Sequence, residues 1–126
     1  ITLREFKEID LLGPIDALYF GNSLQYIKDL GELDVILNHA KPDIIFIGGT
    51  ITTNSNENFW SGQLLRGNRY QPYLFFSHKN LIDFFSDKNY QLEFEHNENH
   101  LQDFEHTHLD KTQWVLKMLL FTKNIY

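Results

Sequence analysis

The chain contains no cysteine, only three prolines and seven glycines, and fewer cationic than anionic side chains. Without cysteine, disulfides, thiolate catalysis and cysteine-based zinc sites are excluded, and the reducing cytosol is the expected compartment. With 11 Lys and Arg against 17 Asp and Glu the formal charge is −6, and no basic cluster is available to neutralise a phosphate backbone. Nucleic acid is therefore not an expected partner. Long hydrophobic runs are missing too. The longest apolar stretch falls far short of the ~20 residues that span a bilayer, and no segment reads as an export signal. What is present, 42% apolar and 15% aromatic residues in a chain of 126, suits one folded domain with a real core.

Because glycine and proline are scarce, those that occur mark boundaries. Residues 17–20 form an apolar run that breaks at Gly21, Asn22 and Ser23; residues 43–47 form another that breaks at Gly48 and Gly49. Between them Leu30, Leu33, Leu37 and Ala40, with Ile36, recur at helical spacing, and Lys41 and Pro42 stop the helix. This predicts a β-α-β unit with strands over 16–20 and 43–47, of the kind buried on both faces. Upstream, Thr2 and Glu5 read as a capping box for a short helix that ends before Gly13 and Pro14. Residues 50–74 read as a long polar and aromatic loop, ordered by Phe59, Trp60, Tyr70 and Tyr73. Ser77 is a predicted N-cap for a helix carrying Leu81, Ile82, Phe84 and Phe85, and residues 86–89 break it. Residues 90–96 alternate in strand fashion and should lie toward a sheet edge. Residues 114–122 should form a last strand antiparallel to them. The expected fold class is α/β: a Rossmann-like, mostly parallel sheet flanked by helices, with an antiparallel pair at the carboxyl end.

In this order the elements resemble the second half of a class I S-adenosylmethionine-dependent methyltransferase. Ser23-Leu24-Gln25-Tyr26-Ile27, Lys41-Pro42-Asp43-Ile44-Ile45, Tyr73-Leu74-Phe75-Phe76-Ser77 and Tyr90-Gln91-Leu92 look like methyltransferases found in bacterial surface-polysaccharide loci. The resemblance implies S-adenosylmethionine as cofactor, a saccharide hydroxyl as acceptor, and cofactor-side roles for Gly21, Asn22, Ser23 and Tyr26. The family's glycine-rich loop and ribose-binding acid are not found in this sequence. The resemblance therefore implies the carboxyl-terminal part of a longer enzyme, unable to hold the cofactor alone.

Independently of family, ligands of open α/β sheets bind beyond the carboxyl ends of the strands, which selects Gly21, Asn22, Ser23 and Tyr26, then Gly48, Gly49 and Thr50. Trp60, Gln63, Arg66 and Arg69 suit the clasping of a sugar, by ring stacking and charge pairing, or else pin a loop to the core. His78, beside a helix start, is a candidate catalytic base, or a solvated surface residue. His96, His100, His106 and His108 lie among acidic residues and suit a divalent metal in a metal-dependent hydrolase, although their spacing matches no zinc motif and a polar connection explains them equally. A further alternative is a non-catalytic α/β interaction module, associating with itself or a partner through edges left by missing strands.

Overall fold

A computed structural model of the chain describes residues 14–98, 104–105 and 114–124. The predicted amino-terminal helix, His100, His106 and His108 lie outside the described residues. The β-α-β unit forms as expected. Strand β1 (Ala17–Gly21) pairs in parallel with β2 (Ile44–Thr53), from Ala17 opposite Ile44 to Gly21 opposite Gly48. Between them runs helix α1 (Leu30–Ala40). The Asp29 carboxylate caps it by accepting from the Glu32 amide at 3.0 Å, and Lys41 closes it in the left-handed conformation with φ 46°.

Strand β2 does not stop at its glycine pair. Ile47 faces Leu119 and Thr50 faces Lys117, so Gly48 and Gly49 together oppose the single residue Met118. That bulge absorbs the glycines and carries the strand on to Thr53. The predicted loop is also a strand pair: β3 (Phe59–Leu65) and β4 (Arg69–Ser77) form an antiparallel hairpin turned at Gly67 and Asn68, both with positive φ. Beyond it come helix α2 (His78–Asp87), strand β5 (Tyr90–Glu98), the two-residue β6 (Phe104–Glu105) on the outer edge of β3, and β7 (Trp114–Lys123).

The strands are ordered β5-β7-β2-β4-β3-β6, with β1 also on β2. Strand β7 is antiparallel to both its neighbours, which confirms the expected antiparallel pair and leaves β5 at an edge. On its other side β2 is shared: β1 occupies residues 44–48, and β4 joins in parallel only at Thr52 and Thr53.

The Rossmann-like reading is corrected here, because the sheet is mixed, strand predominates among the described residues, and the helices do not flank it on two sides. Both parallel crossovers, β1 to β2 and β4 to β5, step in the same direction across the sheet. Right-handed connections that never reverse direction place their helices on one face. In agreement, Leu33 and Leu37 of α1 and Leu81 and Phe85 of α2 share a single core with Ile45, Ile47, Phe76, Leu119 and Phe121. Phe85 stacks on Phe121 at 4.2 Å within it. The face away from the helices is buried only toward the far end of β2, where Ile51, Tyr73, Phe75, Trp114 and Leu116 form a second cluster. Nearer its start Tyr19, Ile44 and Phe94 are exposed. Among the described residues no helix is long and apolar enough to cross a membrane.

Candidate functional site

The carboxyl end of β2, the connection after it, the first turn of α2 and the start of β7 line an open cleft of about 500 Å³, formed by Thr52, Thr53, residues 54–56, His78, Lys79, Val115 and Lys117. Local chemistry holds its walls. Ser77 caps α2 through a 3.3 Å bond from the Asn80 amide, while its own amide donates to Asn58 Oδ1 at 2.7 Å. The Asn80 side chain donates to the Asn56 carbonyl at 2.9 Å, so the 54–58 connection is tied to the start of the helix.

Within the cleft, His78 Nε2 lies 3.3 Å from Glu95 Oε2 on β5, and Lys117 on β7 pairs with the other carboxylate oxygen. The β5–β7 register explains the meeting: Glu95 is opposite Leu119 and Asn97 opposite Lys117, which puts Glu95 and Lys117 diagonally on the helix-side face. The Lys117 side chain is only 13% exposed, and burial lowers its pKa. Burial, followed by the nearby Lys117 charge, also pushes the His78 pKa below its ordinary value of 6.5. At neutral pH the imidazole is therefore uncharged. With Nε2–H donated to the carboxylate, Nδ1 keeps its lone pair and can accept a proton. Lys117 is balanced by Glu95 and Lys79 by Asp83, so the cleft is polar without being strongly charged. The side-chain amides of Asn54 and Asn56 make no hydrogen bond among the described residues and are exposed.

Of the residues singled out from the sequence, His78 lies in this cleft. Gly21, Asn22, Gly48 and Gly49 are brought together, but onto one another. The Asn22 amide donates to the Gly48 carbonyl at 2.7 Å, the Asn22 side chain covers Gly49, and the Tyr19 ring lies against Gly21. Ser23 starts a short 3-10 turn (Leu24–Tyr26), Thr50 is fully buried, and the Tyr26 hydroxyl donates to Gln63 Oε1 at 2.7 Å. At Gly21, Asn22, Gly48 and Gly49 this packing leaves no open cradle for S-adenosylmethionine. Trp60 and Gln63 stand an odd number of residues apart on β3 and so point to opposite faces, with Arg66 at the exposed turn. Of the proposed metal ligands only His96 is described, stacked at 6.3 Å on Phe94, and no group of three His, Cys, Asp or Glu forms a metal site among the described residues. Sequence reasoning missed Glu95 and Lys117. The available signal was a lysine set between apolar neighbours on the helix-side face of β7.

Comparison with protein-family models, with curated proteins and with solved structures gave no match.

Proposed function

We propose that the chain is an enzyme domain that binds a small hydroxylated molecule in the cleft and takes a proton from its hydroxyl with His78 Nδ1. The observation that carries this reading is the His78 imidazole, on the wall of a polar cleft, held by Glu95 at 3.3 Å. A base needs a lone pair at working pH, a fixed orientation and a place for its substrate, and these residues supply all three. Glu95 is a positioning residue: it fixes the imidazole tautomer and stabilises the imidazolium formed on proton uptake. Lys117 opposes that uptake, and its pairing with Glu95 limits the opposition. The exposed amides of Asn54 and Asn56 suit a saccharide or other polyol better than an ion. Methyl transfer to oxygen, the reaction implied by the sequence resemblance, is one group transfer that requires such a base. Its sulfonium donor would have to be held elsewhere than at Gly21, Asn22, Ser23 and Tyr26.

The test is amide and imidazole NMR during titration with glucose, galactose and N-acetylglucosamine, with S-adenosylmethionine added separately. The expected result is saccharide-dependent shifts confined to residues 52–56, His78 and Lys117. Shifts elsewhere, or none at millimolar sugar, overturn the cleft assignment. Methyl-group transfer to a sugar that survives His78→Asn would overturn the role of the base.

A further inference from the structure

The sheet face away from the helices carries a row of large apolar side chains left uncovered among the described residues. Tyr19 of β1 is opposite Phe46 of β2, Phe46 is opposite Leu120 of β7, and Leu120 is opposite Phe94 of β5. Cross-strand partners share a face, so these four form one row across four strands. Their chain neighbours Phe20, Ile45, Leu119 and Phe121 belong to the helix-side core, which puts the row on the open side. Tyr19 stacks on Phe46 at 5.4 Å, yet Tyr19 is 66% exposed and Phe94 50%. Ile44, the preceding same-face position on β2, is exposed beside them. On one side the row is bounded by Gly21 and Gly48, against which the Tyr19 ring lies, and on the other by the Thr122 hydroxyl donating to Glu93 at 2.8 Å.

Size and position select the occupant. Strands about 4.8 Å apart make the row about 14 Å long, and with the Ile44 position its apolar footprint is on the order of 200 Å². Each partner of a stable complex contributes roughly 800 Å², so the patch is too small to hold a second copy and suits a short segment. Residues 99–103 and 106–113 meet the described fold at the wrong end of the sheet, since Glu98 is opposite Leu116 and Trp114 is opposite Thr53. Residues 1–13 meet it at the right end. They lead through Pro14 and Asp16, whose carbonyl accepts from the Asp43 and Ile44 amides, directly into β1 and Tyr19. This segment carries Leu3, Phe6, Ile9 and Leu12. From Leu3 to Leu12 it covers about 14 Å if helical and more if extended, so it can reach from β1 to β5.

We propose that residues 1–12 are a strap that starts at β1, crosses this face to β5, and seats Leu3, Phe6 and Ile9 on the row from Tyr19 to Phe94. The strap leaves the strand order and the mixed directions of the sheet as they are. It rests on residues outside the cleft and does not depend on His78.

The experiment is paramagnetic broadening in amide NMR of the 126-residue chain, whose lack of cysteine allows a single nitroxide label at Arg4→Cys. The amide signals of Phe94, His96 and Leu120 should lose most of their intensity, and those of α2 on the opposite face should keep theirs. Phe6→Asp removes an apolar contact from the strap, and Tyr19→Lys with Phe94→Lys removes the row itself; each should restore the lost intensity. Labelled chain without isotope, mixed with unlabelled isotopic chain, should broaden nothing, because the contact is within one molecule. Broadening that is absent, spread evenly over the surface or centred on α2 would overturn the proposal. So would broadening that survives either substitution, or that appears in the mixed sample and so assigns the face to a second copy.

Discussion

Glu95 reaches from the edge strand β5 to within 3.3 Å of the His78 imidazole in the first turn of α2, and its other oxygen holds Lys117. One carboxylate thus links three elements that the chain visits separately.

The first prediction concerns proton binding there. His78 should titrate below 6.5 in the imidazole NMR spectrum, because burial and then Lys117 disfavour its charged form. Lys117→Met removes only the repulsion and should raise that pKa part of the way. A folded-state pKa below the unfolded one means that the native state binds fewer protons. The associated stability is fully present above pH 6.5 and is lost as pH falls through the lower, folded value. Melting temperature should accordingly fall with acidification across that window, and His78→Gln should flatten this part of the slope.

The aromatic stack under α2 should dominate stability. Phe85 is fully buried, lies 4.2 Å from Phe121 at 28°, and meets Tyr90 edge-on. Phe85→Ala leaves a cavity that rigid strands cannot close and should cost about 3–5 kcal/mol in urea unfolding. A loss under 1 kcal/mol would show that the core repacks.

Gly49 combines two constraints, a φ of +74° and the Asn22 side chain directly over it. Gly49→Ala should destabilise by roughly 1–2 kcal/mol through backbone strain alone, with the collision adding to it. Asn22→Ala should recover the second part and not the first. A double-mutant cycle with no coupling would disprove the contact.

Tyr90 donates its hydroxyl to the Pro42 carbonyl at 2.6 Å, across 48 residues of sequence. Burial raises the pKa of this phenol, with the nearby Asp43 charge adding to the effect. Tyr90→Phe removes the donor but keeps the ring, and should cost about 1 kcal/mol. An unchanged denaturation midpoint would show that water replaces the bond.

Much of this was legible in the sequence. Helix α1 announces itself by Leu33, Leu37 and Ala40, α2 by the Ser77 cap, and β7 by a run too apolar for anything but a buried strand. The hairpin was not legible, because Gly62, Pro72 and the polar residues among its aromatics weaken the alternation expected of strands. Nor was the one-sided placement of the helices. The continuous apolar run of β2 implies two covered faces, yet Ile44 remains 43% exposed. Of the site, His78 was visible beside its helix start. Glu95 and Lys117, 22 residues apart, meet only through the β5–β7 register, and no local pattern encodes that.

That register has a temporal consequence. Strand β7 follows every other described strand in the chain, yet it lies between β2 and β5. During synthesis β2 must wait with one hydrogen-bonding edge bare, and β5 with both, until residues 114–123 emerge. The nascent domain therefore passes through a stage in which β5 is joined to the rest of the sheet only through α2 and its packing. It is then most exposed to off-pathway pairing, and chaperone demand should be concentrated there.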